Sequence, residues 1–140
     1  MNGLQQMEAI RDGRIDRAPI QGLLGFDLAE VEEGRAVFTC LPGKQHYNPA
    51  GTVHGGLAAT LLDSAMGCAV HTTLPEGGSY GTLEMKVNLV RAITAATGEM
   101  RSEGEVVHRG SKVATAEARL VRAEDGKLLA HATSTCLITG

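Results

Sequence analysis

The spacing of apolar and polar residues changes along this chain and predicts one long helix and several strands. Residues 57–74 are apolar on nearly every side, which indicates a helix that the rest of the protein surrounds. Residues 82–91 alternate between apolar and polar instead, and this period of two predicts a half-buried strand. The apolar face of that strand consists of Leu83, Met85, Val87 and Leu89.

Five more strands are predicted on either side of these two segments. Three follow at residues 98–108, 112–122 and 127–139, separated by hairpin turns at Gly110 and at Gly126. Connections this short make neighbouring strands antiparallel. Two strands precede the helix, at residues 26–31 and 35–41, and Gly34 ends the turn between them. The inward positions of the last three strands are mostly small: Met100, Ser102, Gly104 and Val106; Ala114, Ala116, Ala118 and Leu120; Leu128, Ala130, Ala132 and Ser134.

Small inward residues allow a thick element to lie close to the sheet, and the apolar helix is the element available. The sequence therefore predicts an α+β fold in which a curved antiparallel sheet wraps around one long central helix. A chain of 140 residues suits a single domain, here residues 1–140. Residues 1–20 form a flanking segment, with a short helix at residues 4–11 because Leu4, Met7 and Ile10 have helical spacing.

Composition excludes several classes of function. Residues 1–19 have no signal-peptide core and no later run is long enough to span a bilayer, so we expect a cytoplasmic protein without a membrane partner. A net charge of -3 with mixed signs gives no basic stripe for nucleic acid. Three cysteines far apart indicate reduced packing residues, and five scattered histidines show no metal spacing, so no metal is assigned.

The turn that enters the long helix is the strongest candidate site. Asn48 and Pro49 favour a turn, and His54 is followed by two glycines at the position where the helix begins. Because the first turn of a helix has unpaired N–H donors and a partial positive charge, a ligand oxygen can dock on the backbone of Gly55 and Gly56. The alternative is that His54 only starts a core helix and the glycines allow close packing.

Asp63 is the single carboxylate of the apolar helix, and such a group is costly to bury unless it is paired. Hydrogen bonds from Thr60, from Ser64 or from Asn48 of a second subunit would offset that cost. His54 is better interpreted as a residue that caps the helix and orients the loop than as a catalytic base.

The order Asn-Pro-x-Gly-x-x-His-Gly-Gly, with an acid nine residues after the His, resembles the hotdog-fold acyl-CoA thioesterases of the phenylacetate-degradation (PaaI-like) family. The resemblance covers about residues 22–135. It implies a homodimer, often paired into a homotetramer, that hydrolyses acyl-CoA or aryl-acyl-CoA to the free acid and coenzyme A without a metal or organic cofactor. It also implies that the Gly55 N–H polarises the carbonyl, that Asp63 is the nucleophile or general base, and that Asn48 and Thr82 position the carbonyl or the water. Some related groups carry Glu at the Asp63 position, and Asp favours the phenylacetate type without fixing the acyl group.

Helix geometry separates the two main catalytic candidates. Asp63 lies eight residues after Gly55, about 12 Å along the helix axis, and cannot easily reach the same carbonyl. An antiparallel partner helix would place its own Asp63 opposite this Gly55, which gives two composite sites across a two-fold axis. Gly56, Thr60 and Gly67 share a stripe with Asp63 and are small enough for such an approach. The alternative is that this stripe packs on the sheet of the same chain.

Substrate contacts are predicted at His54 and Gly56 and, for the coenzyme A phosphates, at the strand-end residues Arg91, Arg109, Gly110 and Lys112. Two other functions fit the same helix dock. One is an acyl-CoA sensor without catalysis, and the other is a hotdog enoyl-CoA hydratase in which His54 and Asp63 form the acid/base pair.

Overall fold

Three helices and six strands form the fold, in a computed structural model that describes all of residues 1–140. The helices are α1 (Gly3–Arg11), α2 (Pro19–Leu24) and α3 (Gly55–His71). The strands are β1 (Phe26–Glu32), β2 (Arg35–Cys40), β3 (Ser79–Leu89), β4 (Met100–Arg109), β5 (Val113–Arg122) and β6 (Leu128–Thr139). Short 3-10 turns occur at Lys44–His46 and Ala95–Thr97.

All six strands belong to one sheet in the order β1-β2-β4-β5-β6-β3, and every neighbouring pair is antiparallel. The long helix α3 packs on one face of this sheet, so the predicted α+β architecture is confirmed. The strand that follows α3 does not pair with the strand before it. It crosses to the far side of the sheet, which makes β1 and β3 the two edge strands.

Close approach of α3 to the sheet depends on small side chains, as predicted. A Cβ atom on Gly104 would collide with the backbone carbonyl of Ala65. Ser102 Oγ donates a hydrogen bond to the carbonyl oxygen of Leu61 at 2.7 Å, which satisfies a buried hydroxyl at the same contact. Leu61 and Ala65 are fully buried as a result.

The helices differ from the predictions at their ends and in number. Helix α3 begins at Gly55 and ends at His71, whereas residues 57–74 were predicted. The predicted first helix is present, but α2 is a second helix that the apolar spacing did not indicate. Its signals are local, because Pro19 occupies the first helical position and Gly25 closes the helix with a φ of 80°. None of the helices is long and apolar enough to cross a membrane.

The interpretation of β3 as a half-buried strand with four inward apolar residues is wrong. The register of β3 against β6 shifts between Thr82 and Glu84, so Leu83 lies in a bulge and is 60% exposed. Leu89, at the end of the same strand, is also 60% exposed, and only Met85 and Val87 are half-buried. A similar shift in β6 leaves Leu128 half-buried and turns the next residue inward.

Candidate active site

His54 organises the start of α3. Its backbone is extended, with φ -59° and ψ 133°, and its Nδ1 atom accepts a hydrogen bond from the N–H of Gly56 at 2.7 Å. A neutral ring that accepts at Nδ1 carries its proton on Nε2. The predicted capping role of His54 is therefore confirmed, and the prediction that the Gly56 N–H is free for a ligand is wrong, since His54 occupies it.

The N–H of Gly55 has no acceptor in the chain, in keeping with its place in the first turn of the helix. It borders a cavity of about 240 Å³ between the start of α3 and the segment after β3. A Cβ atom on Gly55 would lie 2.7 Å from Leu89 Cδ1, so the glycine leaves room for that side chain. The cavity is lined by Asn48, Thr52, Val53, His54, Gly55, Ala58, Leu89, Val90, Arg91, Ala92 and Ile93. It thus offers a backbone donor and one cation but no carboxylate.

Asn48 lines this cavity, and most of the hydrogen bonds of its side chain stabilise its own loop. Its Oδ1 atom accepts hydrogen bonds from the N–H groups of Ala50 at 2.9 Å and Thr52 at 3.2 Å. Its Nδ2 group donates to Thr52 Oγ1 at 3.1 Å. An amide has two Nδ2 protons, so one remains for a ligand.

Asp63 and Thr82 meet at the middle of α3. Thr82 Oγ1 donates a hydrogen bond to Asp63 Oδ1 at 2.9 Å, and Asp63 is half-buried. Neither of the predicted donors, Thr60 and Ser64, forms a hydrogen bond with Asp63. Thr60 Oγ1 donates instead to the carbonyl oxygen of Gly56 at 2.9 Å. No Lys, Arg or His side chain forms an ion pair with Asp63, so its remaining oxygen lone pairs stay available for chemistry.

The groups behind Asp63 are neutral. Cys136 pairs with Thr82 across β3 and β6, and burial raises the pKa of its thiol. Burial and the nearby Asp63 raise the pKa of Cys68 to about 12. Burial raises the pKa of Tyr80, with smaller contributions from the nearby Cys68, Asp63 and Cys136. Because a protonated thiol is a poor nucleophile, neither cysteine competes with Asp63 as the candidate reactive group of this cluster.

The predicted site residues therefore fall into separate places in one protomer. Asn48, His54, Gly55 and Arg91 share the cavity, whereas Asp63 and Thr82 lie about 12 Å further along the axis of α3. Arg109, Gly110 and Lys112 lie beyond the other end of the helix. Arg109 donates there to Thr73 Oγ1 at 3.2 Å and to the carbonyl oxygen of Gly110 at 2.6 Å. A single protomer does not assemble the predicted constellation.

Residues 50–129 match the thioesterase superfamily, which is more than half of the chain. The protein belongs to this superfamily. This family match, together with the antiparallel sheet and the long helix described above, confirms the resemblance to hotdog-fold thioesterases.

Individual relatives agree with the family assignment. The chain is 39% identical over 77 residues to an inferred esterase of Halobacterium salinarum, covering 54% of this chain and 49% of that protein. It is 35% identical over 89 residues to acyl-coenzyme A thioesterase 13 of Mus musculus, covering 63% and 61% of the two chains. The matches thus span about half to three fifths of those relatives' lengths. An inferred thioesterase of Ralstonia eutropha JMP134, described as related to phenylacetic acid degradation, has a similar structure, with a TM-score of 0.83, 28% identity and coverage of 94% and 98%.

Proposed function

We propose that this protein hydrolyses acyl-CoA thioesters to a free acid and coenzyme A at two composite sites of a homodimer. Each site takes the Gly55 N–H from one protomer and Asp63 from the partner subunit. The observation that carries the proposal is the separation of the two groups: the cavity at Gly55 is lined by no carboxylate, and Asp63 lies outside it, bonded to Thr82. The name of the murine relative, an acyl-coenzyme A thioesterase, supports the substrate class.

The exposed parts of the protomer support the dimer. Strand β3 has 11 residues and pairs with β6 on one side only, and natural edge strands of this length are normally covered. Gly56 is exposed and Thr60 and Asp63 are half-buried, so this part of the helix stripe is not packed on the protomer's own sheet. Gly67 is the exception, because Tyr80 covers it. A second copy that pairs along β3 would bring this stripe against its own equivalent.

The chemistry follows from the two groups. When a water molecule or Asp63 itself adds to the thioester carbonyl carbon, negative charge develops on the carbonyl oxygen, and a fixed N–H donor at that oxygen stabilises the transition state. The carbon–sulfur bond then breaks and coenzyme A leaves as a thiolate, which takes the proton that Asp63 removed from water or, in the anhydride route, a proton from solvent. Asp63 either removes the proton from water or forms an anhydride that water cleaves. The Thr82 hydroxyl keeps one carboxylate oxygen fixed in both cases.

The antiparallel arrangement also accounts for the distribution of basic residues. If Gly55 lies opposite the partner's Asp63, the partner's Thr73 and the Arg109 that binds it fall beyond the start of this helix. Arg91 lies in the cavity on the same side. Arg91 with the partner's Arg109 and Lys112 would then meet the coenzyme A phosphates.

The test is release of free thiol from short, medium, long and aryl acyl-CoA esters by the purified protein. Turnover of at least one ester is expected, and the screen identifies the acyl group. Saturable acyl-CoA binding without thiol release would contradict hydrolysis and indicate the sensor. Loss of the enoyl absorbance of crotonyl-CoA without thiol release would indicate the hydratase instead.

A further inference from the structure

Tyr80 of the edge strand packs over the glycine one helical turn after Asp63. Tyr80 and Thr82 are two residues apart on β3, so their side chains point to the same side, towards α3. Gly67 and Asp63 are four residues apart on α3 and share one face. A Cβ atom on Gly67 would collide with Tyr80 Oη and would lie 2.7 Å from Cζ and 2.8 Å from Cε2. The ring therefore occupies the space that any other residue at position 67 would need.

We propose that the contact between Tyr80 and Gly67 sets the register of β3 on α3, and thereby places the Thr82 hydroxyl on Asp63. Tyr80 is then a positioning residue for the reaction. The inference rests on the proposed role of Asp63 as the reactive carboxylate.

The position of Thr82 needs such support because the ladder of its strand is irregular beside it. Within one protomer β3 is bonded to β6, and this ladder is interrupted at Leu83, directly after Thr82. The ring of His71, the last residue of α3, also packs beside the Tyr80 ring. The two ring centroids are 6.0 Å apart and the ring planes are inclined by 58°. Displacement of a catalytic group by about 1 Å can reduce the rate by about 10²-fold.

Tyr80 Oη and the ring edge both lie against Gly67, and the contact is one of packing rather than of hydrogen bonding. Tyr80 Oη makes no hydrogen bond in the chain, and its hydroxyl stays neutral because burial raises the pKa of Tyr80. Removal of the hydroxyl alone should therefore preserve the register, whereas removal of the ring should release it.

The experiment compares Tyr80→Ala with Tyr80→Phe and uses two readouts. The first is kcat and KM for thiol release. The second is the side-chain carboxyl ¹³C resonance of Asp63, assigned by its loss in Asp63→Asn, which reports the Thr82 hydrogen bond without any turnover. Tyr80→Ala should lower kcat by roughly 10-fold to 10²-fold with KM changed by less than about threefold, and should move the resonance as Thr82→Val does. Tyr80→Phe should retain the wild-type kcat and the wild-type Asp63 resonance.

Gly67→Ala tests the same contact from the helix, with Gly22→Ala as the control, because a Cβ on Gly22 meets only the Arg17 guanidinium at the ordinary contact distance of 3.6 Å. Gly67→Ala should reproduce the effect of Tyr80→Ala, and its effect should disappear in the Tyr80→Ala background because the added methyl group fills the vacated space. If Tyr80→Ala lowers the melting temperature but leaves kcat and the Asp63 resonance at their wild-type values, Tyr80 is a packing residue only and the inference fails. If the wild-type protein releases no thiol, the proposed function fails, and the resonance still decides whether Tyr80 positions Thr82.

Discussion

The two halves of the proposed site lie on the same helix but are held in opposite ways. At the start of α3, every backbone N–H of residues 48–56 except that of Gly55 has an acceptor within the protomer. At the middle of α3, Asp63 has one hydrogen bond, from an edge strand, and no ion pair. The first half is held by hydrogen bonds within its own protomer, whereas the second half is exposed along a sheet edge.

This difference matches the demands of thioester hydrolysis. A donor that stabilises developing charge must be fixed before the reaction, since any reorganisation would cost part of the stabilisation. A base or nucleophile must instead keep its lone pairs free, and an ion pair with Lys or Arg would occupy them and make the carboxylate less basic. Gly55 and Asp63 satisfy these demands separately, so changes to the two halves should have different signatures.

Asp63→Asn should have the largest effect, because it removes the carboxylate that we propose attacks the carbonyl or activates water. We expect kcat to fall by about 10²-fold to 10⁴-fold with little change in melting temperature. Steady-state thiol release with a matched thermal melt measures both. Turnover within a few-fold of the wild-type value would exclude Asp63 from the chemistry.

Gly55→Pro should come next, because proline removes the N–H while fitting the first position of a helix. A loss of about 10²-fold to 10³-fold in kcat is expected for one missing donor to the developing oxyanion. Gly55→Ala is the control, since it adds a Cβ near Leu89 but keeps the N–H. If the two variants are equally impaired, steric obstruction rather than the donor explains the loss.

Thr82→Val should have a smaller effect, because it removes one hydrogen bond to a carboxylate and leaves the carboxylate in place. A hydrogen bond to a charged group contributes about 1.5–3 kcal/mol, which corresponds to a loss of roughly 10-fold to 10²-fold in kcat. Thr82→Ser retains the hydroxyl and should remain close to the wild-type rate. A Thr82→Val enzyme with normal kcat would show that Asp63 does not depend on this contact.

Treatment of the native protein with a thiol reagent should have the smallest effect on activity, and this result would sharpen the assignment of Asp63 as the reactive group. Burial raises the pKa of Cys40 to about 11 and of Cys68 to about 12, and it also raises the pKa of Cys136. The reactive thiolate forms only as pH rises through these values, so alkylation by iodoacetamide should stay slow from about pH 7 to 9 in the native protein. All three thiols should react once the protein is unfolded in guanidinium. Rapid native labelling that abolishes activity would instead point to a cysteine nucleophile.

The sequence predicts the first half of the site better than the second for a physical reason. The turn from Asn48 to the helix start is built by neighbouring residues, so the capping role of His54 can be inferred from its position before two glycines. The partner of Asp63 comes from a strand 19 residues later, and Thr60 and Ser64 are local alternatives that the structure does not use. Which β3 residue reaches Asp63 depends on the register of β3 on α3, and neither the bulge at Leu83 nor the contact of Tyr80 with Gly67 leaves a signal in the alternating pattern.

The same distinction applies to the fold. The hairpins around Gly34, Gly110 and Gly126 are local and were predicted correctly. The exposure of Leu83 and Leu89 was not predicted, because an alternating strand is assumed to have one face that its own chain buries. In this protein the apolar side of an edge strand is left open, which is the arrangement expected if a second copy covers it.

Mixing two inactive variants tests the central claim most directly. Gly55→Pro and Asp63→Asn protomers are co-refolded in equal amounts, and half of the resulting dimers should be heterodimers. Each heterodimer has one intact site, made from the unaltered Gly55 of one chain and the unaltered Asp63 of the other. The account predicts recovery of about one quarter of the wild-type kcat, which follows from the two-fold symmetry. If each protomer used its own Gly55 and Asp63, every site in the mixture would carry a defect, and activity no higher than that of the separate variants would contradict the composite site.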